Sequence, residues 1–216
     1  LSLLYNLLGA DAFRPEQQPP ALRGIEAAKK QLLGQMLVKK VNCPPTSSCG
    51  RLFDGVSALV GLCPVSQYEG QAAMLLEMRR PAGDFAPYCF DLAEENGLII
   101  IKPQPMIRAV VHDLKAGRPA GEISGRFHAG VIRIFHETSL RASARTGLKT
   151  VCLSGGCFQN TILSEGLTAA LESSGLKVFT GRQLPVNDGG LSLGQAVCAA
   201  KILAKKETTR DRKSVV

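Results

Sequence analysis

Apolar side chains recur at helical spacing through much of this chain and give way to short strand-like runs in two places. Residues 1–40 read as helical, interrupted by FRPEQQPP, and IEAAKKQLLGQMLVKK carries the clearest periodicity there. CPPTSSC is a loop, because paired prolines break a helix. Ser47 and Ser48 are then suited to cap a helix over GRLFDGVSALVGL. After the turn CPVSQ, YEGQAAMLLEMRR reads as another helix, and PAGDFAP breaks the chain again. YCFDLAEENGLIIIKP reads as a β-hairpin, with strands near residues 88–92 and 97–102 and ENG at the turn. Pro103 and Pro105 end it. PMIRAVVHDLKAG resumes as helix, and RPAGEISGRFHAGVIRIFHETSLRASARTG is a long helical stretch closed by Gly147.

The last third alternates differently. LKTVCLSGG is a strand running into two glycines, NTILSEGLTAALESSG is an amphipathic helix with a glycine stop, and LKVFT is a second strand. GRQLPVNDGG is a loop, and LSLGQAVCAAKILAKK is a helix. Strand, loop and helix twice in succession predict a helix-rich α/β fold. The organisation expected is a helical lead-in over 1–46, a helical cleft segment over 47–87, an α/β nucleotide-binding lobe over 88–204 and a basic disordered tail over 205–216. No internal repeat is present.

Composition narrows the classes. The 216 residues allow one domain or two small lobes. Hydrophobic residues at 45% and charged residues at 20% are globular proportions. No apolar run approaches the roughly 20 residues of a membrane span. The opening LSLLYNLL has no basic flank of a secretory signal. A first residue other than Met leads us to expect a fragment or processed product. The net charge is +8, but much of the excess falls in residues 201–216, where a solvated tail is the simpler account. Aromatic residues at 5% and no Trp leave few stacking surfaces, which argues against a nucleic-acid partner. The seven cysteines form no CxxC pair. They are expected as reduced structural thiols of a cytoplasmic protein.

Candidate chemistry gathers at the glycines. In LSGGCFQN, Gly155 and Gly156 follow a strand and precede a helix. Such a turn lets a ligand approach the backbone, and the N–H groups of a helix start suit a phosphate. Asn160 opens that helix and could cap it or touch the ligand. The alternative is a tight turn with no ligand. Asp188, in NDGG, stands before a second helix start, either as a cap or as an oxygen ligand for a hard cation. Asp54 is three residues from Arg51 and could be a surface ion pair. Gly70 opens a helix with small residues, for ligand approach or for packing. His112, His128 and His136 have no chelating spacing. Cys157, beside a helix start, could have a lowered pKa.

Four motifs in order, SSCGRLFDGVSALVGL, YEGQAAMLLE, LSGGCFQN and PVNDGGLSLGQAV, resemble the C-terminal region of the hydrogenase-maturation carbamoyltransferases, the HypF family. The likeness runs from about Leu3 to Ala200. It implies an incomplete lobe of the actin-like ATPase fold (ASKHA, RNase H-like), the second part of a Kae1-like domain. It implies ATP and carbamoyl phosphate as substrates, carbamoyl-AMP as the intermediate, and the C-terminal cysteine of a HypE-type protein as acceptor. Carried over, it assigns Gly155, Gly156 and Asn160 to the nucleotide and its phosphates, and Asp54 and Gly70 to the nucleoside side. It assigns Asp188 to a divalent metal whose paired histidine ligands would lie upstream. No protein nucleophile is implied. The acylphosphatase-like domain, CxxC zinc motifs and YrdC-like domain of that family are not within this sequence. Leu75 stands where relatives often carry an acid, with Glu77 nearby. A tRNA threonylcarbamoyl transferase of the same fold and a non-catalytic docking lobe are the competing expectations.

Overall fold

The computed structural model describes residues 1–14, 18–181 and 183–211. The first part is helical: α1 (Ser2–Leu8), a 3-10 turn over Gly9–Phe13, α2 (Pro20–Arg23) and α3 (Ala27–Lys39). Part of the expected interruption, residues 15–17, lies outside the described residues. Then come α4 (Cys49–Leu59) and α5 (Gln71–Arg79). Ser48 caps α4, its Oγ accepting from the Arg51 N–H at 3.3 Å. Gly70 caps α5 at φ +80°, a left-handed conformation that favours glycine.

The hairpin β1 (Asp91–Glu95) and β2 (Leu98–Lys102) turns at Asn96-Gly97, both with positive φ. Its first strand starts at Asp91, three residues later than the expected 88. The reason is Tyr88, which donates its backbone N–H to the carbonyl of Arg126 at 3.1 Å instead of to a strand. α6 (Gln104–Lys115) and α7 (Ala120–Thr146) follow, the latter stopped by Gly147 at φ +72°.

The final part contains β3 (Thr150–Leu153), a 3-10 turn over Gly156–Gln159, α8 (Thr161–Ser173) and β4 (Lys177–Thr180). β3 and β4 pair in parallel, Thr150 opposite Lys177 and Leu153 opposite Thr180. A short 3-10 turn at Asp188–Gly190 leads into α9 (Leu191–Asp211). That helix runs past residue 205 into the stretch expected as tail, and the end of that stretch, 212–216, lies outside the described residues.

Two cores hold these parts together. The larger joins α1, α4, α5, α6 and α7 and reaches α8 through Leu163. At its centre Phe53 meets Phe127 edge to face, with ring centroids 4.8 Å apart. The smaller core packs Leu167 and Leu171 of α8 with Leu153 of β3 and Leu176 before β4. α7 touches both, so the glycine-bearing turns at the end of β3 are fixed to the rest of the chain.

Candidate functional site

Gly155 sits at φ +105° and ψ 157°, a conformation open in practice only to glycine. A Cβ on Gly155 or on Gly156 would meet nothing within 4 Å, so this backbone faces open space. Among the described residues, the N–H groups of Gly156 and Cys157 have no acceptor. Gly155 donates its own N–H to the carbonyl of Val186 at 2.6 Å. Ser154 Oγ donates to the same carbonyl at 3.4 Å. The β3 turn is thereby tied to the strand-to-helix loop that carries Asp188.

The start of α8 is occupied by protein groups. Its Thr161 N–H and Oγ1–H both donate to Glu77 Oε1 of α5, each at 2.7 Å. The Leu163 N–H is capped by Asn160 Oδ1 at 2.8 Å. The expectation that this helix start offers its N–H groups to a ligand is therefore corrected for Thr161 and Leu163, which a carboxylate and a cap already satisfy. The N–H groups without an acceptor among the described residues are those of Ile162 and, one turn earlier, of Gly156 and Cys157. Asn160 is likewise turned inward. It is buried, and its Nδ2 donates to His128 Nε2 at 3.0 Å. His128 Nδ1 lies 2.8 Å from the Ser124 carbonyl, which fixes the neutral tautomer with the proton on Nδ1. Burial holds the His128 pKa below its ordinary 6.5. Both polar ends of the Asn160 side chain are thus spent on positioning the loop.

Asp54 forms the expected pair with Arg51, Oδ2 to Nη2 at 2.7 Å. Arg51, Asp54, Tyr68 and Gly70 line a cleft of about 420 Å³. The two expected nucleoside-side residues therefore share one concavity. α4 also packs against the 3-10 turn after Gly155. The Cys157 thiol lies against the start of that helix, 3.8 Å from where a Cβ on Gly50 would stand. The glycine turn thus packs against α4, the helix that also carries Asp54.

The Cys157 thiol is lowered to about 7, chiefly by the influence of the Cys49 thiol, against opposing burial and the Asp54 carboxylate. The shift matches the direction expected from its position, but its cause is a second cysteine. Asp188 is exposed at the start of its 3-10 turn, and Asn187 Oδ1 caps this turn by accepting from the Gly189 N–H at 3.1 Å. No group of three His, Cys, Asp or Glu side chains is gathered for a metal among the described residues. One exposed carboxylate does not make a metal centre, so the residues present do not by themselves fit a bound ion. His136 reaches Ser174 Oγ at 2.7 Å and His128 the Ser124–Asn160 pair, so the two histidines serve different partners. Glu77 and His128 carry no local sequence signal for these roles. Their partners lie 84 and 32 residues away.

Helices on a small parallel sheet, with glycine turns at its C-terminal strand ends, define an α/β lobe of the Kae1-like class. Residues 1–195 match the model of the carbamoyltransferase Kae1-like domain, second subdomain. The chain belongs to the HypF carbamoyltransferase family. It is 39% identical over 175 residues to the carbamoyltransferase HypF of Rhodobacter capsulatus, covering 81% of this chain and 22% of the relative. It is 36% identical over 167 residues to that of Rhizobium leguminosarum bv. viciae, covering 77% and 21%. A crystal structure of full-length HypF in the phosphate- and nucleotide-bound form superposes with TM-score 0.84 at 32% identity, over 93% of this chain and 26% of that one. The HypF of T. kodakarensis has the same fold, with TM-score 0.77 at 23% identity. The chain therefore spans about a fifth to a quarter of the length of these relatives.

Proposed function

We propose that this chain forms the nucleotide-facing part of a carbamoyl-transfer site, with the Gly155–Cys157 turn holding phosphate. The observation that carries this is the pair of unengaged N–H groups at Gly156 and Cys157. They follow Gly155, and both Gly155 and Gly156 are exposed, with nothing within 4 Å of a built Cβ. Backbone N–H groups of this kind are strong ligands for an anion and need no reorganisation when charge develops on it. That a relative has been crystallised in a phosphate- and nucleotide-bound form supports nucleotide binding within the family.

In the reaction proposed, ATP and carbamoyl phosphate yield carbamoyl adenylate elsewhere in the complete protein. The sulfur of the HypE C-terminal cysteine then attacks the carbamoyl carbon, the bond from that carbon to the AMP oxygen breaks, and AMP leaves. The carbonyl is already activated as a mixed anhydride, so this chain needs no nucleophile of its own. Its Gly156 and Cys157 N–H groups would steady the leaving phosphate. Asp54, held by Arg51, and the open backbone at Gly70 would lie along the nucleoside. Asn160 contributes by fixing the turn through its cap and His128. Asp188 is offered as one carboxylate toward a divalent cation whose other ligands come from outside the described residues, and no step is routed through it. A cytoplasmic setting accords with seven free cysteines and no helix, among the described residues, long and apolar enough to cross a membrane.

A second reading, a partner-docking lobe, is favoured by one observation. α9 exposes Leu191, Val197, Ile202 and Leu203, and β4 exposes Phe179. Calorimetric titration of the chain with ATP, with and without a divalent cation, tests the first reading. Saturable binding is expected. A cooperatively melting chain that binds no ATP under either condition overturns it in favour of docking.

A further inference from the structure

One helix of the lead-in lies outside both cores and is basic and grooved. Only Gly34 of α3 is buried, and no side chain of α3 enters either hydrophobic cluster. The helix packs chiefly on the 3-10 turn at Gly9–Phe13. Gly34 makes that contact possible: a Cβ there would lie 3.1 Å from Phe13 Cζ, so the ring is seated against the helix backbone. Beside this contact an open groove of about 570 Å³ runs along α3. Phe13, Ala27, Gly34 and Val38 are its apolar lining, and Lys30 and Lys39 its charged lining. The two lysines are separated by about 14 Å of helix.

The charge of this helix has one sign. Ala27–Lys39 holds three lysines and no acid, and Lys40 follows. Lys30 Nζ donates to Gln18 Oε1 at 2.9 Å, and the buried Gln18 donates its Nε2–H to the Phe13 carbonyl at 3.0 Å. A neutral amide therefore positions the Lys30 cation and leaves its charge uncompensated. Among the described residues, no carboxylate pairs with Lys30, Lys39 or Lys40.

We propose that the α3 groove docks an acidic, amphipathic segment of a partner protein, with its apolar side chains against Phe13 and Val38 and its carboxylates on Lys30 and Lys39. Charge complementarity selects this occupant. Burial of the apolar lining contributes affinity, and the uncompensated cations at the two ends fix register and reject a basic or neutral segment. A second copy of α3 would bring like charge. A membrane surface fits less well, because helices that lie in it carry aromatic anchors, and α3 has none. The same lack of aromatic side chains leaves a nucleic acid no face on which to stack. The docking reading is independent of nucleotide.

The test selects a displayed library of short random peptides on the full chain, then titrates the enriched peptides by fluorescence anisotropy. Expected are peptides with Asp or Glu on both sides of apolar residues. Their affinity should fall roughly tenfold in Lys39→Glu and fall further as salt is raised, with the melting curve of the variant unchanged. Val38→Asp, at an exposed position, should weaken the same peptides. Enriched peptides without acids, equal affinity for the parent and both variants, or no enrichment over a blank support overturns the proposal. Phosphatidylserine vesicles and self-association are followed by co-sedimentation and sedimentation velocity. Vesicle binding or dimerisation that Val38→Asp abolishes assigns the groove to that occupant and also overturns the proposal. ATP affinity is no part of the readout, so failure here leaves the nucleotide reading standing.

Discussion

Asn160 serves three needs, two of them with its side chain. Its Oδ1 caps α8, its Nδ2 satisfies a buried imidazole, and its backbone ends the turn that carries Gly155 and Gly156. Asn160→Ala removes the cap and strands His128 Nε2, so thermal or denaturant unfolding should show a loss of about 1–3 kcal/mol. His128 gives the chain a pH dependence of definite sign. Its folded pKa lies below the ordinary 6.5 because of burial. The unfolded state therefore binds more protons between the two values. Stability is fully present above about pH 6.5 and falls as pH drops through the folded pKa. A melting temperature that declines between pH 7.5 and 5 is expected. His128→Gln, which keeps an acceptor for Asn160, should flatten that decline; an unchanged slope would place the acid sensitivity elsewhere. The Asn and Ser caps were legible in the sequence because capping is local. Glu77 at the α8 start was not, since its partner is remote in sequence.

At the scale of elements, α7 is shaped to receive an extended segment. A Cβ on Gly121 would lie 2.8 Å from the Arg79 carbonyl oxygen, and one on Gly130 would lie 2.7 Å from that of Tyr88. The chain between α5 and β1 thus runs directly against the helix. Tyr88 is buried there, its Oη donating to Asp113 Oδ2 at 2.6 Å. Burial pushes Asp113 up, but Tyr88 with Arg126, His112 and Arg118 outweighs it, so the carboxyl titrates below its ordinary value. Gly130→Ala should destabilise by about 1–3 kcal/mol, because backbone and not a flexible side chain must give way. A melt indistinguishable from the parent would show that the segment can lift off. The sequence marked a long helical stretch from Arg118 to its Gly147 stop, two residues longer at its start than α7, but not that its glycines admit another backbone. The hairpin turn was legible in Asn-Gly, while its first strand began late because α7 claims Tyr88.

For the whole molecule, the succession of helices and then strand–helix–strand was legible as α/β, since β3, α8 and β4 each carry their own period. The two strands pair only with each other among the described residues. The site was legible in part. Asp54 and Gly70 line one cleft and the Gly155–Gly156 turn packs against α4, whereas Asn160 turns inward and no cluster of metal-ligating side chains gathers at Asp188 among the described residues. Which donors face outward depends on packing between α5 and α8, and no single motif encodes it.

The central claim is that exposed backbone at Gly156 and Cys157 holds nucleotide phosphate. ATP affinity of the parent chain against Gly156→Trp tests it most directly, with melting curves run on both. Gly156 has open space around its Cβ position and no strained φ, so the variant should fold as the parent does. The account predicts matching melts and loss of ATP binding in the variant. Matching melts with equal ATP affinity would contradict it.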